Sequence, residues 1–102
     1  MPFDGTTKTS PVLATLLAGR RLIEQGWIQG AVRTHEGVCL MGSLAIATTP
    51  SVHTHARALL KQAILANGYR FDCIAHFNDA RGRTQAEVLA VYDAAISRAL
   101  VG

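Results

Sequence analysis

Phe77-Asn78-Asp79-Ala80-Arg81-Gly82-Arg83-Thr84-Gln85-Ala86-Glu87 decides how this chain is read. The stretch ends one element, turns, and starts another. Asn78 and Asp79 are residue types that stop a helix by bonding their own backbone. Gly82 supplies a positive φ without a Cβ penalty, and an arginine of the turn is expected to hold Asp79. Thr84 and Glu87 stand at capping-box spacing. The Thr84 hydroxyl accepts the N–H of Glu87, and the Glu87 carboxylate reaches back to the N–H of Thr84. The spacing therefore predicts a helix from about Gln85 to Leu100, with Val88, Leu89, Tyr92, Ala95, Ile96 and Ala99 as its apolar stripe. Glu87 complements the positive helix start and Arg98 the negative end.

Working outward from that turn, the chain keeps a helical period. Ser10-Pro11 reads as an N-cap followed by a proline at the first helical position. Val12, Leu13, Leu16, Leu17 and Ile23 then mark a helix over about 11–25, with Gly26 as its left-handed C-terminal residue. Trp27 is expected to fold back onto the core, its indole N–H on a carbonyl. Ala31-Val32-Arg33 and Val38-Cys39-Leu40 flank Thr34-His35-Glu36-Gly37, which leaves room for a small β-hairpin near 31–40. Cys39 to Ala47 is apolar nearly throughout and reads as a buried helix, where Gly42 lets a neighbouring helix come close. Thr48-Thr49-Pro50-Ser51 breaks it. Val52, Ala56, Leu59, Leu60, Ala63 and Ile64 give a helix over about 51–66, closed by Asn67-Gly68. Phe71 to Asn78 makes two further turns.

Length and composition set the frame. The chain has 102 residues, enough for one domain with one modest core. We read a flexible segment over 1–9 and a single helical domain over 10–102: an all-α array of about five helices. Hydrophobic residues make up 49%, mostly alanine and leucine, with six aromatics, which favours packed helices over strands. Charged residues are only 17%, so the chain is not disordered and has apolar surface to use in self-association. A net charge of +3 is too mild for a dense nucleic-acid stripe. No apolar run approaches the ~20 residues of a membrane span, and the first ten residues carry no signal pattern. The expectation is a cytoplasmic protein with Cys39 and Cys73 as free thiols.

Three blocks bring a family into view. Gly26-Trp27-Ile28-Gln29-Gly30-Ala31, Cys39-Leu40-Met41-Gly42-Ser43-Leu44-Ala45 and Phe77-Asn78-Asp79-Ala80-Arg81-Gly82-Arg83-Thr84, leading into Glu87-Val88-Leu89, resemble a family of small bacterial proteins without an assigned function. Its pattern has Trp where Phe77 stands and Ala where Ser43 stands. The resemblance spans most of residues 26–96. It implies a compact bacterial domain and carries over no catalytic residues.

Chemistry-bearing residues support several readings. Cys39 opens a helix, where a thiolate is stabilised. With His35, His55 or His76 as base and Asn78 or Asp79 as orienter, it has the ingredients of a Cys-dependent hydrolase or transferase. The plain reading makes Cys39 a small buried hydrophobe. His53 and His55, two apart on a helix, point away from each other, so no metal site is read there. His53, Arg57 and Lys61 form a basic ridge. With Arg20, Arg21, Arg81 and Arg83 they give a weak nucleic-acid reading, against which stand salt bridges to Glu24, Asp72 and Asp79. Asn78, Asp79, Arg81 and Arg83 form a polar patch on a rigid turn. The leading reading is a non-enzymatic binding or regulatory module, self-associating or recognising a protein or a small anionic group there. Nothing in the sequence calls for a cofactor.

Overall fold

Ser10 starts the first helix as its side chain promises: its Oγ accepts the N–H of Leu13 at 3.1 Å. This computed structural model describes residues 10–47, 50–71 and 73–101. The helix α1 (Pro11–Gln25) is followed by a two-stranded antiparallel hairpin, β1 (Arg33–Thr34) and β2 (Gly37–Val38). Then come α2 (Leu40–Ala47), α3 (Pro50–Ala66), a short α4 (Ile74–Asp79) and α5 (Gln85–Val101). The fold is the all-α array of five helices with a small hairpin inside 31–40. The expectations for Met1–Thr9, for the Thr48-Thr49 break and for Asp72 lie outside the described residues.

The core forms where the stripes meet. Leu16 and Ile23 of α1, Leu40 and Leu44 of α2, Leu60 and Ile64 of α3, Ile74 and Phe77 of α4, and Val88, Val91 and Tyr92 of α5 are all buried. At roughly 1.5–3 kcal/mol per fully buried large apolar side chain, these faces dominate helix stability, because short helices are marginal alone. α1 lies centrally, against α2, α3 and α5. Its buried face is rotated from the expected one: Thr15 and Gly19 are buried, whereas Leu17 is exposed. The reason is the approach of α5. The Tyr92 ring occupies the space a Cβ on Gly19 would need.

Three local expectations need correction. Gly26 is not left-handed: its φ of 174° is extended, and the chain runs straight on to a parallel bridge between Trp27 and Val38. Glycine is required there by contact, since a Cβ would strike the Glu36 carbonyl and the Gly37 backbone. At Gly42 the close neighbour is the Val32 carbonyl, not another helix. The Phe71–Asn78 element is shorter and later, Ile74–Asp79. By contrast, Gly68 and Gly82 do take positive φ, at 89° and 81°.

Candidate functional site

Asn78 is where the chain's separate blocks converge. On α4, Ile74, Phe77 and Asn78 fall at positions i, i+3 and i+4, so one face buries all three. A buried primary amide has two donors and an acceptor oxygen to satisfy. The Asn78 Oδ1 accepts the Trp27 indole N–H at 2.7 Å and the Leu40 backbone N–H at 3.0 Å. Its Nδ2 donates to the Ile28 carbonyl at 3.1 Å and to the Asp79 Oδ1 at 2.9 Å. The same Asp79 oxygen accepts the Gly30 N–H at 3.0 Å. Gln29 Nε2 donates to the carbonyls of Asn78 and Ala80, both at 2.9 Å. The Trp27 indole therefore finds its carbonyl, on a side chain rather than on the backbone.

Two expectations about this turn are overturned. Asn78 and Asp79 do not bond their own backbone; they reach 38 to 51 residues along the sequence, to the loop after α1 and the start of α2. No arginine holds Asp79. Arg83 instead lies over the rings of Phe77 (4.0 Å) and Tyr69 (4.5 Å), and its Nε donates to the Phe77 carbonyl at 2.8 Å. A guanidinium stacked on aromatic faces and hydrogen-bonded to a carbonyl is held in place, not offered to a ligand. Arg81 is the turn's exposed cation.

The helix cap below the turn forms as its spacing requires. Thr84 N donates to Glu87 Oε1 at 2.9 Å, and Glu87 N to Thr84 Oγ1 at 3.2 Å. The Thr84 N–H, then burial acting in opposition, then nearby Arg83 set the Glu87 carboxyl; the net effect is a value below the ordinary 4.5. A lowered folded value means that the contribution is complete above the unfolded value and is lost as pH falls through the folded one. The stability gap between wild type and Glu87→Gln is therefore expected to be constant above about pH 5.5 and to close as pH drops below about 4.5. Chemical denaturation of both proteins across that range checks this. A gap independent of pH would remove the charge from the cap.

A second buried polar pair locks α2 to α5. Ser43 Oγ lies 2.7 Å from the Leu40 carbonyl and 2.6 Å from Tyr92 Oη. The single Ser43 hydroxyl proton goes to the carbonyl, so the tyrosine must donate. Burial pushes the Tyr92 phenol far above its ordinary value, so it stays neutral and remains a donor. Arg20 joins α1 to α5 from outside: its Nε meets Asp93 Oδ1 at 2.6 Å and its Nη1 meets Glu24 Oε2 at 2.9 Å.

A match to a family model now adds to this geometry. Residues 7–98 match the model described as Family of unknown function (DUF6197). The chain belongs to DUF6197. No curated protein and no solved structure matches the chain. Within this DUF6197 chain, the candidate catalytic residues are distributed as follows. Cys39 is the residue before α2, is buried, and its Sγ accepts the Gly42 N–H at 3.3 Å. It lines a cleft of about 170 Å³ with Val32, Met41, Ala75 and Asp79, and no histidine lines that cleft. His35 is in the hairpin turn, His55 on α3 and His76 on α4, all exposed. Of the suggested orienters, Asn78 already has every hydrogen-bonding position filled. Among the described residues no group of three or more His, Cys, Asp or Glu side chains could hold a metal ion. No described helix is long and apolar enough to cross a membrane.

Of the basic residues, Arg20 and Arg83 are engaged internally, while Arg57 and Lys61 are exposed on α3. The DUF6197 chain also has a feature that sequence reading missed. A cleft of about 420 Å³ lies between the start of α1, α3 and the end of α5, walled by Val12, His55, Leu59, Arg98 and Ala99. A shallower one, lined by Leu59, Gln62, Ala94, Ser97, Arg98 and Val101, adjoins it. The signal was partly present: Ala94, Arg98 and Val101 lie one helical turn apart, on a face outside the predicted apolar stripe.

Proposed function

We propose that this chain is a non-enzymatic binding module, a rigid helical scaffold that makes protein contacts through the outer faces of α3 and α5. The observation that supports it is how the polar side chains are used. Asn78, Asp79, Gln29, Arg83, Glu87, Ser43 and Tyr92 all hold the fold together. The end of α5 exposes Leu100 (67%) and Val101 (90%) next to Arg98, and α3 exposes Leu65 (58%). Two large exposed aliphatic residues in succession, Leu100 and Val101, favour an interaction surface over a reactive one. The partner is a second copy of the chain or another protein with a matching apolar face. At the turn, Arg81 is available for an acidic partner group.

The test uses the pure protein. Sedimentation equilibrium is expected to show a mass that rises with concentration, and Leu100→Glu/Val101→Glu to suppress the rise without changing the circular dichroism spectrum. The competing thiol enzyme predicts otherwise. A chain that stays monomeric, and that hydrolyses an activated ester at a rate Cys39→Ser abolishes, overturns the module reading.

A further inference from the structure

The 420 Å³ cleft has the size of a small-molecule site, within the usual range of about 300–1,000 Å³. Its walls come from three helices that the core holds rigidly: Val12 from α1, His55 and Leu59 from α3, Arg98 and Ala99 from α5. The chemistry of those walls is asymmetric. Val12, Leu59 and Ala99 are apolar and packed from behind by the core. The polar side is cationic or donor-bearing, with the Arg98 guanidinium and the His55 imidazole. Among the described residues no acidic side chain lines this cleft or the adjoining one. Among the described residues, neither Arg98 nor His55 has a hydrogen-bond or ion-pair partner. Arg21, Arg57 and Lys61 on the same helices are exposed too, but none of them lines this cleft; Arg98 is the cationic side chain that borders both it and the adjoining one. An arginine left unpaired beside an apolar concavity is suited to a planar anion on an apolar body.

We propose that this cleft binds a small carboxylate with an aliphatic tail, the head on Arg98 and His55 and the tail over Val12, Leu59 and Ala99. Arg98 also borders the adjoining cleft at Leu59, so a longer tail has a continuous path along α5 toward Val101. The inference extends the binding-module reading by adding a ligand class, and no bond is made or broken.

An NMR titration of the full chain with octanoate tests it, with hexanoate and butyrate as shorter homologues and octylammonium and octanol as head-group controls. Octanoate is expected to shift the amides of Val12, His55, Leu59 and Ala99 in a saturable way. Each methylene removed should weaken binding by up to about fourfold. Arg98→Gln should weaken octanoate by about tenfold or more, while Arg21→Gln, on the exposed part of α1, leaves it unchanged. Octylammonium or octanol binding as tightly as octanoate overturns the proposal. So does an unchanged affinity in Arg98→Gln, saturable shifts confined to other residues, or no shift below the micelle concentration. Sedimentation equilibrium on the same samples keeps the two readings apart. Loss of octanoate binding with association intact removes only the ligand site, and octanoate binding to a strictly monomeric chain removes only the protein-contact reading.

Discussion

Asn78→Ala is expected to lower the free energy of unfolding by about 3–5 kcal/mol, the largest single effect of any polar substitution in the molecule. The removed amide leaves three groups behind without partners: the Trp27 indole N–H, the Leu40 N–H and the Ile28 carbonyl. A buried orphaned group costs about 1–3 kcal/mol, and water can reach some of them, which keeps the total below the simple sum. A typical domain has only about 5–15 kcal/mol in all, so the variant should sit close to its unfolding threshold. Asn78→Asp refines the argument. It keeps the acceptor oxygen for Trp27 and Leu40 but turns a second oxygen toward the Ile28 carbonyl and the Asp79 carboxylate. Ionised, it suffers repulsion from Asp79, so its loss should grow as pH rises. Urea unfolding followed by circular dichroism measures both. A loss for Asn78→Ala of under about 1 kcal/mol would mean that the hydrogen bonds around it carry little net stability.

Gly37→Ala is the second large effect. Its Cβ would fall on the carbonyl carbon and oxygen of Gly26 and on the Trp27 nitrogen. Backbone atoms cannot swing aside as a side chain can, so the hairpin must move. That movement also disturbs the hydrogen bonds from Val38 N to the Gly26 carbonyl (3.0 Å) and from Ile28 N to the Val38 carbonyl (3.1 Å). Overpacking of this kind costs about 2–3 kcal/mol. Gly26→Ala creates the reciprocal clash with Glu36 and Gly37. Because either change opens the same contact, the double variant should lose clearly less than the sum of the two singles. Gly30→Ala is the comparison: nothing lies within 4 Å of its Cβ, but its φ is 79°. It should cost only about 1 kcal/mol, from backbone conformation alone. Thermal denaturation of all four proteins decides between contact and conformation. A Gly37→Ala no worse than Gly30→Ala removes the contact argument.

The parts of this fold legible in the sequence are those set by neighbours in the chain. Ser10 with Leu13, and Thr84 with Glu87, bond across three residues, so the residue types alone define the cap. The same holds for the helical periods of α3 and α5 and for the turns at Gly68 and Gly82. What depended on distant partners was not legible. Gly26 looks like an ordinary helix end until Gly37 is placed against it. Leu17 fits the α1 stripe as well as Leu16, and only the approach of Tyr92 to Gly19 selects the face that is buried. Asn78 and Asp79 are common turn formers, and nothing within a few residues shows that their bonds cross to Trp27, Gly30 and Leu40. The Arg98 cleft was hidden for the same reason, since His55 and Val12 come to line one cleft with Arg98 only in the folded chain.

The bond from the Trp27 indole to Asn78 has a spectroscopic consequence. The chain contains one tryptophan, and its emission therefore comes from a single place. That place is the junction where the loop after α1, the start of α2 and the end of α4 meet, not a helix interior. Intrinsic fluorescence thus registers the closing of that junction, while far-ultraviolet ellipticity registers the helices. The two signals are separate optical channels built into the native sequence. Any interval between them during refolding is the time the molecule spends helical but not yet joined.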